Sequence, residues 1–442
     1  SRGLGDVYKR QGLYCALTSA MSGQPAPLEH SELKKSDANI IGHVLEKKTG
    51  EHLPYMTVAL KGTTIGTMTD GTGHYFLKNL PEGEFILSVS AVGYKPQERK
   101  VTLKRGKTLE ENFELEEDMV ALDGVVVTAN RNETARRLAP TLVKVVTPKL
   151  FDMTNSHTLS QGLVFQPGVR VENDCQNCGY SQVRINGMDG KYTQILIDSR
   201  PIFSALAGVY GLEQIPANMI ERVEVVRGGG SALFGSSAIA GTVNIITKEP
   251  LRNSGSFAHS ISNFDGSGSF DNNTMLNLSL VSSDNKMGAY IYGQNRHRSA
   301  WDSNGDGFSE LPKLKNQTVG VNAYYRLSPY SKLNLEYHHM EEFRRGGNRF
   351  DLPPHIAEDA NLNGSGEPGL VEQIEHSINT GGLKFGAFSK DQKHAFNAYA
   401  SAQHIVRDSY YSAYGHTTDF TGVLGAQYIY CLLYTSPSPR DR

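Results

Sequence analysis

The second half of the chain is dominated by apolar and polar residues that alternate with a period of two. Between Thr318 and Leu327 the odd-numbered positions carry Val, Val, Ala, Tyr and Leu, and the even-numbered positions carry Thr, Gly, Asn, Tyr and Arg. In a β-strand this period places the two sets on opposite faces. The pattern predicts eight strands, near residues 255–263, 274–283, 286–297, 316–328, 331–342, 377–388, 392–407 and 419–430.

The connections between these strands are alternately short and long. Short ones fall around Asp284, Pro329 and Asp391, whereas long ones span residues 298–315 and 343–376. Short turns on one side and long loops on the other are typical of an outer-membrane β-barrel. A soluble β-sandwich is the alternative, but it would not require every second connection to be long. The spacing therefore favours part of an antiparallel transmembrane barrel.

The first half of the chain has a different texture. From Ile40 to about residue 103, short β-type runs are separated by turn residues such as Asp70-Gly71, which predicts a small β-sandwich. Residues 131–249 combine helical and strand-like spacing. Helical spacing from Thr158 to Val164 ends at Pro167, and strand-like runs follow. We therefore expect a mainly β protein, with an α/β domain between a sandwich and a partial barrel.

Composition and charge exclude several classes of function. The 442 residues carry a formal net charge of -2, so no nucleic-acid partner is expected. Gly230 and Gly235 have the spacing of a phosphate loop, but Ser236 stands where that loop needs a lysine. No nucleophile–base pair or complete metal set is recognisable, so we expect no catalytic residues and no enzyme.

Both ends of the chain differ in character from the rest. The first eleven and the last dozen residues resemble translated sequencing-adapter read-through, and residues 12–22 resemble the end of a secretory signal peptide. We therefore set residues 1–22 and 431–442 apart from the expected domains and read residues 23–38 as a linker. A signal peptide would imply that the protein is exported from the cytoplasm.

Two cysteines remain in the expected domains, Cys175 and Cys178, in the sequence C-Q-N-C. In an exported protein this spacing favours a disulfide that closes a small loop. A metal or ligand contact is the alternative, although zinc needs four ligands and no second Cys/His pair lies nearby in the sequence.

Three blocks of the middle region carry a family resemblance. LSQGLVFQPGVRVE, VRINGMDGKYTQILIDSRPIF and IPANMIERVEVVRGGGSALFGSSAIAGTVNIITK occur in the order and spacing of the plug domain of a TonB-dependent outer-membrane receptor, which they resemble. The earlier stretch TTIGTMTDGTGHYFLKNLPEGEFILSVSAVGYKP is similar to the carboxypeptidase regulatory-like domain. Two departures, Asn186 for an arginine and Ser199 for a glycine, fall in expected turns.

The resemblance implies a division of the chain. Residues 39–118 would form the regulatory-like sandwich, 119–130 a segment similar to the TonB box, 131–250 the plug, and 251–430 a partial barrel. Because barrels of this family have about 22 strands, the eight strands counted here cannot close one.

The resemblance also implies a function. A plug inside an outer-membrane barrel of a Gram-negative bacterium takes up a scarce, large ligand, energised by TonB of the inner-membrane complex. The motifs favour a cobalamin-like ligand, haem or a siderophore. A receptor of the same build for glycan or peptide capture, or for signalling, is the alternative. Besides TonB and outer-membrane lipid, a surface lipoprotein is a candidate partner.

Specific residues follow from the resemblance. TonB would pair by strand addition with the β-prone segment of Asp123, Gly124, Val125, Val126, Val127, Thr128 and Ala129. The alternative interpretation is that this segment is a buried strand. Ligand contacts are expected on plug loops that point outward, unless these loops only pack against the barrel wall: Cys175, Gln176, Asn177, Cys178, Tyr180, Phe203 and Tyr210. Charges on the strand from Glu221 to Arg227, Glu224 included, are expected to tether plug to barrel.

Two long loops carry oxygen-bearing side chains with the spacing of a calcium loop. Asp302, Asn304, Asp306 and Glu310 occupy positions one, three, five and nine, but Lys313 replaces the glutamate at twelve. Asp359, Asn361 and Asn363 repeat the spacing. Calcium in such loops is a feature of the vitamin B12 receptors in the family, although Asp/Asn/Gly loops are also good turn formers. Calcium is therefore the one candidate cofactor, and none is strictly required.

Overall fold

The computed structural model describes residues 38–54, 56–70, 72–91, 94–116, 125–126, 134–135, 143–154, 156–175, 180–200, 215–229, 234, 238–362, 364, 366–390 and 393–430. Three regions follow one another along the chain: a small sandwich, a central α/β domain and a long antiparallel sheet. The predicted mainly β fold is confirmed. None of the helices in these ranges is long and apolar enough to cross a membrane.

The first region, which we call the accessory sandwich, packs two sheets face to face. Its strands are β1 (Ala38–Glu46), β2 (Thr57–Leu60), β3 (Gly66–Met68), β4 (His74–Leu80), β5 (Gly83–Ser90), β6 (Gln97–Leu103), β7 (Thr108–Glu110) and β8 (Phe113–Leu115). One sheet has the order β4-β1-β7, with β8 also on β1, and the other has the order β3-β2-β5-β6. Alternate residues point inward, so Val44, Leu77 and Leu87 are fully buried between the sheets.

A two-strand hairpin and the central domain come next. The hairpin joins β9 (Val125–Val126) to β10 (Thr134–Ala135). The central domain contains β11 (Val143–Val146), α1 (Pro148–Met153), α2 (Leu159–Leu163), β12 (Val169–Cys175), β13 (Tyr180–Ile185), β14 (Thr193–Ile197), β15 (Ile220–Arg227) and β16 (Gly241–Thr247). Its main sheet has the order β11-β15-β16-β14, and β12 and β13 form a separate hairpin.

The third region is one sheet of eight antiparallel strands in sequence order. They are β17 (Ser254–Asn263), β18 (Phe270–Val281), β19 (Met287–Arg298), β20 (Lys313–Ser328), β21 (Ser331–Gly347), β22 (Val371–Phe388), β23 (His394–Tyr411) and β24 (Tyr414–Tyr430), with α3 (Pro354–Glu358) in the loop after β21. The eight predicted strands and the partial barrel are thus confirmed.

Strand ends differ from the sequence-based expectation on the side of the long loops. β21 runs to Gly347 and β23 to Tyr411, and β23 and β24 are joined by only Ser412 and Ala413. The prediction of a longer final connection was therefore wrong. The strands continue into polar residues, where backbone pairing persists but apolar alternation no longer marks them.

The eight-stranded sheet is apolar on its exposed face. On β20, Val319, Tyr325 and Leu327 are exposed, whereas Thr318 and Tyr324 are buried. Exposed apolar side chains continue across the neighbouring strands: Phe257, Ile261, Leu276, Met287, Leu335, Leu383, Phe396, Phe420 and Leu424. On β20 this band spans nine residues, from Val319 to Leu327, close to the 9–11 residues that a transmembrane strand needs.

The central domain lies against the other face of this sheet. Tyr290 and Tyr292 of β19 belong to the same buried cluster as Val223 and Ile245 of the central domain. The accessory sandwich contacts the side with the short turns, where the Arg326 Nε donates to the Thr64 carbonyl (2.9 Å) and Thr64 N donates to the Pro329 carbonyl (3.0 Å). The long loops lie at the opposite ends of the strands.

Candidate functional site

A tight turn in the central domain presents a buried cation to the sheet. After β14, Asp198 and Ser199 both have positive φ (47° and 66°), and Ile197 and Arg200 exchange backbone hydrogen bonds of 2.9 and 3.0 Å. Left-handed residues at both central positions define a two-residue hairpin turn. The Asp198 carboxylate accepts from Thr247 N and Oγ1 (3.1 and 2.7 Å), which fixes the turn to β16.

Arg200 then forms the central ion pair between the two regions. Its guanidinium contacts the Glu336 carboxylate of β21, and the two side chains are only 5% and 14% exposed. Arg200 Nε and Glu336 Oε1 have no hydrogen-bond partner among the described residues. A buried pair with incomplete hydrogen bonding contributes little net stability, although losing one partner is costly. The contact is therefore specific but weak enough to be separated.

Polar contacts surround this ion pair. Tyr290 donates to the Asn218 carbonyl (2.9 Å), and Asn218 Nδ2 donates to the Gly293 carbonyl (3.2 Å). Farther along the same face, the Lys332 ammonium lies 3.0 Å from the Glu249 carboxylate. The central domain is thus seated on the sheet by hydrogen bonds and ion pairs around a small apolar centre.

His157 belongs to the same interface. Its Nε2 lies 3.2 Å from Ser260 Oγ on β17. Burial lowers the pKa of His157 below its ordinary value, and the nearby Arg296 lowers it further. The imidazole is therefore neutral at pH 7, and a proton there would place a charge in the interface.

Glu224 on β15 was expected to tether the plug to the sheet, but its described ion pair is with a residue of its own strand. Glu224 is fully buried, and its carboxylate accepts from Arg222 Nε (2.9 Å) on the same strand. Arg222 also contacts Glu221 (2.8 Å). Tethering by Glu224 remains a prediction, whereas the described ion pairs between the regions involve Arg200 and Lys332.

The loop between β19 and β20 brings acidic groups together. Carboxylate oxygens of Asp302, Asp306 and Glu310 lie within 4.8 Å of one another. Asp302 accepts from Gly305 N and Gly307 N, both at 2.7 Å, which wraps the loop around its carboxylate. Three mutually close carboxylates repel one another, and a hard cation with oxygen ligands would neutralise them. The arrangement therefore fits calcium.

The other proposed calcium ligands are arranged differently. The Asn304 amide hydrogen-bonds Asp306 through both of its polar atoms, at 3.0 Å each, and braces the loop. In the loop after β21, Asp359 Oδ1 accepts from Asn361 N and Leu362 N (2.7 and 3.0 Å). Asn363 lies outside the described residues. Within those residues, the acidic group at Asp302 is the one set of this kind, and Asp359 does not join it.

Several predicted contact residues fall outside the described part of the chain. Of the segment from Asp123 to Ala129, only the backbone of Val125–Val126 is described, in antiparallel pairing with Thr134–Ala135. Gln176, Asn177, Cys178, Phe203 and Tyr210 lie outside the described residues. Cys175 and Tyr180 end β12 and begin β13, without described side chains, so disulfide and ligand contacts remain predictions.

Comparisons with known proteins identify the two N-terminal regions. Residues 40–127 match the model of the CarboxypepD_reg-like domain, and residues 135–242 match that of the TonB-dependent Receptor Plug Domain. Together with the fold, the two matches support a TonB-dependent receptor. The central domain is therefore the plug. The first match overlaps the segment 119–130, so the boundary there stays a prediction.

Relatives and solved structures agree with this assignment. The vitamin B12 transporter BtuB of Vibrio vulnificus (strain YJ016) is 35% identical over 229 residues, which are 45% of this chain and 37% of that protein. BtuB of Photobacterium profundum is 37% identical over 128 residues, covering 28% and 20%. The receptor chain thus spans well under half the length of these curated relatives.

Two crystal structures share the fold. The siderophore receptor PirA from Acinetobacter baumannii superposes with a TM-score of 0.52 at 20% identity, over 65% of this chain and 44% of that chain. A variant of the ferric enterobactin receptor PfeA from Pseudomonas aeruginosa gives 0.52 at 19% identity, over 68% and 47%. These relatives are named as transporters and receptors rather than enzymes. The receptor is located in the outer membrane of a Gram-negative bacterium.

Proposed function

We propose that this receptor takes up a scarce, large ligand across the outer membrane, most favourably a cobalamin-like molecule or an iron or haem chelate, with energy supplied through TonB. The observation that supports it most is the seating of the plug. A folded domain fills the inner face of a membrane-type sheet through contacts that include the Arg200–Glu336 pair. Such a domain blocks free diffusion and must move before a large ligand passes.

The polar character of this interface fits repeated movement. An apolar interface of similar size would resist separation in water, whereas hydrogen bonds and ion pairs are exchanged for water at modest net cost. Tyr290, Asn218 and Lys332 provide such contacts around the Arg200–Glu336 pair. The plug can therefore be held specifically and still be released by a pulling force.

TonB would act on the side of the short turns. The segment Asp123 to Ala129 precedes the plug, and Val125–Val126 already adopts a strand conformation that pairs with a neighbouring segment. A TonB strand could replace this short pairing once Val125 and Val126 separate from Thr134 and Ala135. Main-chain hydrogen bonds to TonB would then provide the affinity, as in other cases of strand addition.

The ligand would enter from the side of the long loops. We propose that Asp302, Asp306 and Glu310 bind calcium there, and that the ion holds the loop between β19 and β20 in one conformation. Ordering a loop before the ligand arrives reduces the entropy lost on binding. Asp306→Ala should remove the thermal shift that calcium gives the receptor, with Asp351→Ala as the control. An unchanged shift in Asp306→Ala would refute the site.

The decisive experiment measures binding of the receptor to cyanocobalamin, haem and ferric siderophores, each with and without calcium. Submicromolar binding of one of them is expected, strengthened by calcium. Haem binding without cobalamin binding would exclude the cobalamin-like ligand. Binding of an oligosaccharide or peptide instead would favour a capture receptor of the same build.

A further inference from the structure

Three histidines on the outer surface of the accessory sandwich face one another. His43 on β1 and His74 on β4 are directly opposed cross-strand partners, and His52 returns beside them through a bridge to Leu45. The ring centroids are 5.3 Å apart for His43–His52, 5.7 Å for His43–His74 and 4.9 Å for His52–His74. His52 and His74 are exposed, and His43 is half-buried.

The backbone explains why these side chains converge. Val44 and Tyr75 point into the core, so the alternation of β1 and β4 turns His43 and His74 to the outside. Gly73 lets the loop carrying His52 approach, because a Cβ at Gly73 would lie 2.8 Å from the His52 Cβ. Gly73 also has φ +77°, which favours glycine.

A hydrogen-bond relay orients the ring of His74. Thr72 donates its hydroxyl proton to Asp70 Oδ1 (2.7 Å), so the Thr72 oxygen is left to accept from His74 Nδ1 at 3.1 Å. His74 then carries its proton on Nδ1, and Nε2 keeps a lone pair. Metal-binding histidines usually donate a hydrogen bond from the ring nitrogen that does not bind the metal, as Nδ1 of His74 does here.

The Asp70 carboxylate at the start of this relay is fixed by the backbone. Its Oδ1 also accepts from Thr72 N (2.8 Å) and from His74 N (3.0 Å), so the turn that carries the relay is held in one conformation.

The spacing of the rings agrees with a shared metal ion. With Zn–N distances of about 2.1 Å and tetrahedral angles, ring centroids of two ligating histidines lie about 5 Å apart. We propose that His43, His52 and His74 bind one divalent transition-metal ion of the zinc, copper and nickel class. Imidazole nitrogen suits these ions, whereas calcium and magnesium prefer oxygen.

One adjustment is needed for binding. The nitrogens of the triad do not all lie within the 4.8 Å span that the acidic group at Asp302 meets. The exposed His52 side chain would have to rotate about its torsions to bring a ring nitrogen into this span. Bound metal would then connect the loop before β2 to strands β1 and β4.

The test titrates Zn²⁺ into the receptor by calorimetry in calcium-free buffer. The parent should bind one more equivalent than the variant H52A/H74A, and the control H355A/H416A, which removes two exposed histidines on the long-loop side, should keep that equivalent. Equal stoichiometry in the parent and H52A/H74A would overturn the proposal, as would loss of the equivalent in the control alone.

A second variant keeps all three imidazoles. Thr72→Val removes only the hydroxyl of the relay, and loss of such a support weakens metal affinity about 10–100-fold. Unchanged Zn²⁺ affinity in Thr72→Val would show that His74 is not oriented by the relay. Nitrogen hyperfine splitting in the electron paramagnetic resonance spectrum of the Cu²⁺ form should indicate three nitrogens in the parent, and one or none would contradict the triad.

Discussion

The accessory sandwich and the eight-stranded sheet use the same sequence period and bury opposite faces. In the sandwich, Leu77 is fully buried and its neighbour Phe76 is exposed to water. In the sheet, Leu335 is half exposed on the outer face, while its neighbour Glu336 on the other face contacts Arg200 of the plug. Period two therefore defines two faces, and the surroundings decide which face is covered.

The ion pairs of the sandwich and of the plug–sheet interface also differ in their exposure to water. The ion pairs of the sandwich, such as Lys61–Glu98 (2.9 Å), are exposed to water, whereas Arg200–Glu336 is enclosed between plug and sheet. Water screens the first kind and not the second. The largest expected effects of substitution therefore lie at the plug interface.

Arg200→Ala should lower the free energy of unfolding of the plug-bound receptor by about 3–5 kcal/mol, because it leaves the Glu336 carboxylate buried without its partner. Lys61→Ala, which breaks an exposed pair in the sandwich, should cost under about 1 kcal/mol. Thermal or denaturant unfolding in detergent measures both. Similar losses for the two variants would contradict the contrast in burial.

Leu77→Ala should destabilise the sandwich by about 2–5 kcal/mol, because it opens a cavity between two packed sheets. Leu335→Ala should cost less, since lipid or detergent fills the space on the outer face of the sheet. Limited proteolysis of the sandwich and heat-dependent gel mobility of the sheet report on the two regions separately. A larger loss at Leu335 would mean that this face packs against protein.

Leu335→Lys should cost about 2–4 kcal/mol if the side chain lies near the middle of the membrane. The matched variant Phe76→Lys, at an exposed apolar position of the sandwich, should change stability by no more than about 0.5 kcal/mol. The yield of membrane-inserted receptor for both variants measures the difference. Equal yields would place the outer face of the sheet in water.

The smallest effect is a pH dependence of plug seating. Because burial lowers the pKa of His157 in the folded receptor, the neutral ring contributes stability that is present above the ordinary histidine pKa. That stability is lost as the pH falls through the lowered value. Unfolding measured from pH 7 to pH 4 should show this loss, and His157→Gln should reduce it. An identical pH profile for His157→Gln would contradict the assignment.

Much of the architecture was predictable from the sequence because it depends on local patterns. Alternation between Thr318 and Leu327 marks β20, and turn residues mark the sandwich. Strand ends such as Gly347 and Tyr411 were not predictable, since the strands leave the apolar band and continue with polar residues. Ser199 stands where the family often has glycine, and it has the left-handed backbone conformation that glycine would adopt there. Its hydrogen bonds with Asn244 hold it in this turn, which explains why serine is tolerated.

The contacts that define the plug interface depend on residues far apart in the chain. Arg200 and Glu336 are separated by 136 positions, and no local pattern pairs them. The three histidines of the sandwich meet because strand register and Gly73 bring them together, which the sequence does not reveal. The acidic spacing from Asp302 to Glu310, by contrast, is local, and the loop does bring three of its carboxylates together.

The central claim is that β20 has lipid on one face and the plug on the other. Single spin labels introduced at Thr318, Val319, Tyr324 and Tyr325, in a receptor whose cysteines are replaced by serine, can test it in lipid bilayers. High oxygen accessibility at Val319 and Tyr325, with low accessibility of both oxygen and a water-soluble nickel chelate at Thr318 and Tyr324, is the predicted result. High nickel-chelate accessibility at Val319 and Tyr325 would show that the apolar face meets water and would contradict the account.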